Sequence, residues 1–387
     1  MSIDVKAARE DTRGTGHVTH LNNAGSSLAP HPVMDTVVGH LRREEEIGGY
    51  EAAAEAEERI ASVYSSLARL IGATPGEVAV LESGSTAWAA VVSRLPLTGR
   101  RILLGRTEYW HNVLVLRQLA RRDGLELVVL DDDAHGQVDV KHLQCELDRG
   151  GAGMVALTHV PMGGAQVQPA AEVGRACRAA GVPFVLDACQ SVGQLPLDVE
   201  TLGCDVLVGT GRKFLRGPRG TAFVHVRREL LDRLEPALHD RHRSAGGTDK
   251  IEARALESWE TNVAGRLGLG RAVDYALTLG LEPIRGRVTT LAEALRARLA
   301  AVPAVRVHDR GLRRGGIVTF SVDGRTAEQV KNQLSRQTIN VSTVALPPSA
   351  APLVLDPAPE QQTVAVRASV HYYNTEDDLD RLITALP

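Results

Sequence analysis

Aromatic side chains are scarce in this chain: four Phe, six Tyr and three Trp among 387 residues, 3% of the total. An adjacent pair therefore stands out, and one occurs at Tyr109 and Trp110. Cysteine is scarce as well. Cys145, Cys177, Cys189 and Cys204 form no C-x-x-C pair and share no metal-ligand spacing with histidine, which points to a reducing, cytoplasmic setting. The 13 histidines form no H-x-x-x-H pattern in a helical context, so no metal site is assigned. Net charge is nearly absent at −3, which gives no sign of a nucleic-acid or membrane partner. No uncharged apolar run reaches the length that spans a bilayer. The opening "MSIDVKAAREDTRG" is polar and has no apolar stretch of the secretory type.

What the chain does have is alternation. "EVAVLE", "RILLG", "ELVVLD", "MVALTHV", "PFVLDA", "DVLVGT" and "TAFVHV" are short apolar runs rich in Val, Leu and Ile. Helical patterns such as "AWAAVVSRL", "NVLVLRQLARRDG" and "PAAEVGRACRAAG" lie between them. Strands buried on both faces read as continuous apolar runs, and their alternation with helices predicts an α/β fold on a mainly parallel sheet of seven-stranded type. The length predicts two domains. Residues 1–40 form an N-terminal segment, 41–272 a large domain, and 273–387 a smaller α+β domain. In the last, a helix "TTLAEALRARLAAV" precedes strand-like "VRVHD", "GGIVTFSV", "INVST" and "TVAVRASVHYY". A final helix begins at Thr375, and "ALPPSAAPLVLDPAPEQQ" is a loop of lid length.

Ligands of such sheets sit beyond the carboxyl ends of the strands, and four strand ends carry chemistry there. Ser83, Gly84, Ser85 and Thr86 open a helix. They read either as an ordinary capped start or as a phosphate cup. Asp187 ends the run "FVLD", as a helix cap or as a carboxylate held by a cation. Lys213 follows "DVLVGT" in the basic, glycine-rich "GTGRKFLRGPRG". It is either a solvated turn residue or a partly desolvated amine nucleophile. Tyr109 and Trp110 follow "RILLG", as packing or as a platform for a flat ring. One cofactor asks for all four features. Pyridoxal phosphate needs a phosphate cup, a carboxylate for its pyridine nitrogen, a Schiff-base lysine and a ring partner.

With these residues in order, "VLDACQSVGQLPLDVETLGCDVLVGTGRKFLRGPRG" resembles the signature of class V, fold-type I aminotransferases, and the resemblance runs from "HLNNAGSSLAP" to "VRASVHYYNTEDDLDRL". It implies that Lys213 carries the cofactor, Asp187 pairs with its ring nitrogen and Gln190 reaches its ring hydroxyl. Trp110 would stack on the ring, where the family often has His. Ser85, Thr86 and Thr210 would hold the phosphate, with Arg212 adding charge. Arg367 would grip the substrate carboxylate, and Asn22 and Asn23 would border the substrate. A homodimer is implied, since active sites in this class form at a subunit interface.

The chain departs from the family pattern in places. Met162 and Gly163 stand where a polar residue is usual, and the threonine that reaches a neighbouring subunit's phosphate is not evident in "ESWETNVAG". "TVALPPSAAPLVL" lacks the nucleophilic cysteine that cysteine desulfurases carry on the corresponding loop. "LNNAGSSLAP", "GGYEAA", "EYWHN" and "GRKFLRGPRG" look similar to carbon–sulfur lyases of ergothioneine biosynthesis. They also look similar to enzymes that process cysteine S-conjugates in lincosamide-type pathways. The expected reaction is β-elimination from an S-substituted cysteine, giving a thiol, pyruvate and ammonia. Decarboxylation-coupled oxidative deamination is the runner-up, followed by aminotransferase or epimerase chemistry and by a non-catalytic binding protein on the same fold. Arg216 and Arg219 read either as contacts to an anionic substrate tail or as a basic surface turn.

Overall fold

The computed structural model describes residues 3–234, 252–346 and 363–386. Its strands are β1 (Thr19–His20), β2 (Val78–Leu81), β3 (Arg101–Leu104), β4 (Glu126–Val129), β5 (Ala152–Thr158), β6 (Phe184–Asp187) and β7 (Val206–Thr210). They continue as β8 (Ala222–Val226), β9 (Val305–Val307), β10 (Ile317–Val322), β11 (Ile339–Asn340), β12 (Ser342–Ala345) and β13 (Val364–Ser369). The seven apolar runs become the seven strands of one sheet, ordered β2-β8-β7-β6-β5-β3-β4. All lie parallel except β8, which runs antiparallel to both β7 and β2. Every residue of β5, β6 and β7 is buried, which is why these strands read as unbroken apolar runs. Apolar clusters cover both faces: Leu67, Phe184 and Phe223 belong to one, Trp88, Ile102 and Val185 to the other.

The smaller sheet has the order β12-β13-β10-β9 and is antiparallel throughout. "INVST" does not form one strand. It splits into β11 and β12, which join different sheets. β11 pairs in parallel with β1, so the N-terminal segment is stitched to the C-terminal part of the chain. The helix expected over "TTLAEALRARLAAV" begins earlier and spans Leu281–Ala300. Pro283 lies in its first turn, where a missing N–H costs no hydrogen bond. Gly265, Gly268 and Gly270 lie inside the helix Val263–Leu279, which packs on His31–Ile47 and Glu57–Ile71. There Gly268 lets the helix approach Val37 and Pro218. The final helix, Glu376–Thr384, has Thr375 as its cap, with Thr375 Oγ1 accepting from the Asp378 N–H. Residues 347–362, most of the lid-length loop, lie outside the described residues.

Candidate active site

A cavity of about 320 Å³ opens at the carboxyl edge of the large sheet. Its walls are strand ends. Glu82–Ser85 follow β2, Tyr109 and Asn112 follow β3, and Thr158, Val160 and Met162 end or follow β5. Asp187, Cys189 and Gln190 come from β6, and Thr210, Arg212 and Lys213 from β7. Because β8 is antiparallel, the residues before it, Arg219–Thr221, reach the same edge.

The helix Gly84–Val92 points its N-terminus at the cavity. Ser83 caps it: its Oγ accepts from the Thr86 N–H at 3.1 Å and lies 2.9 Å from Thr86 Oγ1. Thr86 is thereby engaged with Ser83, and it is Ser85 that lines the cavity. Gly84 is required by crowding, since a Cβ there would fall 2.6 Å from Cys189 Sγ.

Asp187 is buried and held by two donors. Asn112 Nδ2 donates to Oδ2 at 2.7 Å and the Cys189 N–H donates to Oδ1 at 2.9 Å. These bonds leave room for one further cationic donor, which a buried carboxylate favours. Behind it Glu108 is fully buried. Its carboxyl accepts from the Thr158 N–H at 2.7 Å and the Thr158 hydroxyl at 2.6 Å. Burial pushes Glu108 up to about 7. Neither Asn112 nor Glu108 was singled out from sequence, although both lie in "TEYWHN" beside the aromatic pair. In that stretch Tyr109 reaches the cavity wall, whereas Trp110 is absent from it and 47% exposed.

Lys213 is half-buried in the cavity wall, and desolvation lowers its pKa, against the opposing charges of Cys189 and Asp187. Arg367 is buried on β13. Its Nη1 donates to the Met162 carbonyl at 3.2 Å, and burial, then Arg212, lowers its pKa to about 10. Arg212 donates to the Gly25 carbonyl. Asn23 is spent on the protein itself: Nδ2 donates to the Ser369 carbonyl at 2.7 Å, and Oδ1 accepts from the Tyr373 hydroxyl at 2.6 Å. Neither Asn22 nor Asn23 lines the cavity. The two readings of Arg216 are both corrected. It is neither a surface residue nor a substrate contact, but is fully buried among protein groups, while Arg219 does line the cavity.

Among the described residues, Gln190 Oε1, Asn22 Oδ1 and Arg367 Nε are buried without a hydrogen-bond partner. Buried polar atoms are normally satisfied. Gln190 lines the cavity, whereas Arg367 does not line it and reaches its wall through the Met162 carbonyl, and both ask for a polar ligand. A helix N-terminus with free first-turn N–H groups, a held carboxylate, a desolvated lysine and a carboxylate-matching guanidinium fit pyridoxal phosphate and an amino acid.

A strand-end cavity of this kind on a mainly parallel sheet with a small antiparallel partner defines a fold-type I pyridoxal phosphate enzyme. The chain belongs to the aminotransferase class-V family, whose profile matches residues 19–382. Over 95% of its length it is 28% identical to a cysteine desulfurase of Serratia proteamaculans, covering 92% of that protein. A cysteine desulfurase from Thermococcus onnurineus has the same fold, with a TM-score of 0.86 at 24% identity over 99% of this chain and 97% of that one. A cystine C–S lyase solved with its product, cysteine persulfide, gives 0.84 at 22% identity over 96% and 98%.

Proposed function

We propose that this chain is a pyridoxal-phosphate-dependent C–S lyase that eliminates the sulfur substituent of an S-substituted cysteine. The relatives act on sulfur amino acids by name, which supports the bond. One observation supports release of sulfur without a protein carrier. The only cysteine at the cavity is Cys189, and its thiol is fully buried, with burial and then Asp187 pushing it well above its usual range. A thiol held protonated is a poor nucleophile. Cys145 is exposed on the helix Val140–Asp148, Cys177 and Cys204 are buried in the core, and none lines the cavity. The sulfur must then leave on its own substituent.

Pyridoxal phosphate, once attached, supplies an electron sink that acidifies the substrate Cα. The protein's part follows from its geometry. Ser85, Thr210 and Arg212, with the first-turn N–H groups at Gly84, would hold the phosphate. Asp187 would accept from the ring N–H, and Gln190 from the ring hydroxyl. Arg367 would grip the substrate carboxylate through two parallel N–H bonds, fixing which Cα bond faces the sink. Lys213 Nζ, released once the substrate amine takes its place on the cofactor, would be a desolvated base positioned to take the α-proton. The C–S bond then breaks with its electron pair on sulfur, and the three-carbon remainder is hydrolysed to pyruvate and ammonia.

Incubation with a panel of S-substituted cysteines tests this. Pyruvate and ammonia should appear in equal amounts with the released thiol. Carbon dioxide and an S-linked aldehyde without pyruvate would replace elimination by decarboxylation-coupled oxidative deamination. We also propose a homodimer. Met34, Val38 and Leu41 recur on one face of the helix His31–Ile47 and are partly exposed. Tyr50 and Trp259, 76% and 78% exposed, flank a second concavity nearby in the fold.

A further inference from the structure

The segment that carries Lys213 is a closed turn. The Gly217 N–H donates to the Gly211 carbonyl at 2.8 Å, and the Arg216 N–H donates to the Lys213 carbonyl at 3.0 Å. Arg216 has a φ of 60°, and among the described residues only one other non-glycine, Thr338, has a positive φ. A non-glycine residue stays in that region only when its surroundings hold it there. Here they do. Arg216 Nε donates to the Leu28 carbonyl at 2.8 Å, Nη1 to the Tyr372 hydroxyl at 2.7 Å, and Nη2 to Thr12 Oγ1 at 2.5 Å.

No carboxylate forms an ion pair with Arg216 among the described residues. Its charge is met instead by the rings of Tyr372 and Tyr373, whose centroids lie 5.0 and 4.4 Å from the guanidinium carbon. A buried cation so arranged is costly to build and geometrically demanding. A planar fork can meet three acceptors in three directions, whereas an ammonium is a point charge on a flexible stem.

The three partners come from different parts of the chain. Thr12 and Leu28 belong to the N-terminal segment, and Tyr372 follows β13, the strand that bears Arg367. Neighbouring backbone is tied to the same two regions. The Ser27 N–H donates to the Arg212 carbonyl at 2.9 Å. His371 Nδ1 accepts from the Tyr372 N–H at 2.8 Å, which leaves Nε2 to donate to the Phe214 carbonyl at 2.9 Å. Gly193 packs against the other side of this turn, where a Cβ would fall 2.4 Å from the Phe214 carbonyl carbon.

We infer that Arg216 is a positioning residue, fixing the Lys213 turn relative to the strand that presents Arg367 and so setting the span between the base and the carboxylate grip. The inference rests on the proposed roles of Lys213 and Arg367, but its structural content does not depend on which Cα bond breaks. The test uses holoenzyme with Arg216→Lys and Tyr372→Phe, the second removing one hydroxyl from Arg216 without emptying the core. Three quantities are measured: amide hydrogen exchange of peptides covering 211–217, visible circular dichroism per bound cofactor, and kcat and KM. Exchange in 211–217 should accelerate at least about tenfold in Arg216→Lys and less in Tyr372→Phe. The ellipticity should change in both, and kcat should fall more than KM rises. If Arg216→Lys does not fold, Tyr372→Phe decides alone. Melting temperatures that fall while exchange in the turn and ellipticity stay at wild-type values would reduce Arg216 to a packing residue. If exchange and ellipticity respond but no S-substituted cysteine is turned over, the lyase reading fails and the positioning role stands.

Discussion

Lys213 owes its usefulness to the water it has lost. Burial lowers its pKa, so a larger share of its amine is free base near neutral pH than for a surface lysine. Lys213→Ala should abolish turnover and the covalent tie between cofactor and chain, as read by the mass of the protein after borohydride reduction in the absence of amino acids. Cofactor still fixed to the reduced chain would place the attachment elsewhere. Arg367 acts at the other end of the substrate. Arg367→Ala should lose about 1.5–3 kcal/mol of transition-state binding, roughly 10- to 150-fold in kcat/KM, while the cofactor band persists. Glu108 gives a pH signature. Its folded pKa, about 7, lies above its ordinary value of 4.5, so its contribution to stability is full below about 4.5 and is lost as pH rises to about 7. Glu108→Gln removes that dependence. Relative to wild type, the variant should gain about 2 kcal/mol between pH 5 and 7.5 in urea unfolding. A constant difference across that range would mean that Glu108 is already ionised in the folded protein.

Elements place these residues, and their starts and ends matter more than their middles. The helix Gly84–Val92 begins in contact with the β6 end, because Gly84 leaves space for Cys189 Sγ. Gly84→Ala should overpack that contact, costing about 1–3 kcal/mol, and should weaken cofactor retention. Cys189→Ala in the same chain should recover most of both, as measured by melting and by cofactor titration. Failure of that rescue would show that the helix start, not the thiol, sets the limit. This junction also marks what sequence could and could not say. β5, β6 and β7 were legible because strands buried on both faces leave a one-letter trace of Val, Leu and Ile. Asp187 and Lys213 were legible as polar residues closing such strands. Asn112 was not, since its bond to Asp187 joins a helix start to a strand end 75 residues away. Arg216 was misread for the same reason. "RKFLRGPRG" looks like a solvated basic turn until Thr12, Leu28 and Tyr372 converge on it. Tyr109 and Trp110 stood out as a pair, but neither composition nor spacing says which of two neighbours faces inward at a helix start.

At the scale of the whole molecule, partly exposed Met34 and Leu41 and the prominent Tyr50 and Trp259 favour a second copy. Light scattering at micromolar concentration should give about twice the 41.5 kDa chain mass. A fully active monomer would sink the dimer. The pairing of β1 with β11 reaches further, into how the chain is made. His20 and Asn340 touch across 320 positions of sequence. At the usual pace of translation, about 5–20 residues per second, the first strand waits roughly 15–60 seconds for its mate. The seven-stranded sheet, complete once β8 has left the ribosome, can collapse during that interval without either terminus. Stalled nascent chains ending near residue 335 should therefore protect the 78–226 region from protease while residues 1–30 are still cut. Release of the full chain should protect both, so that binding competence arrives with the last residues translated.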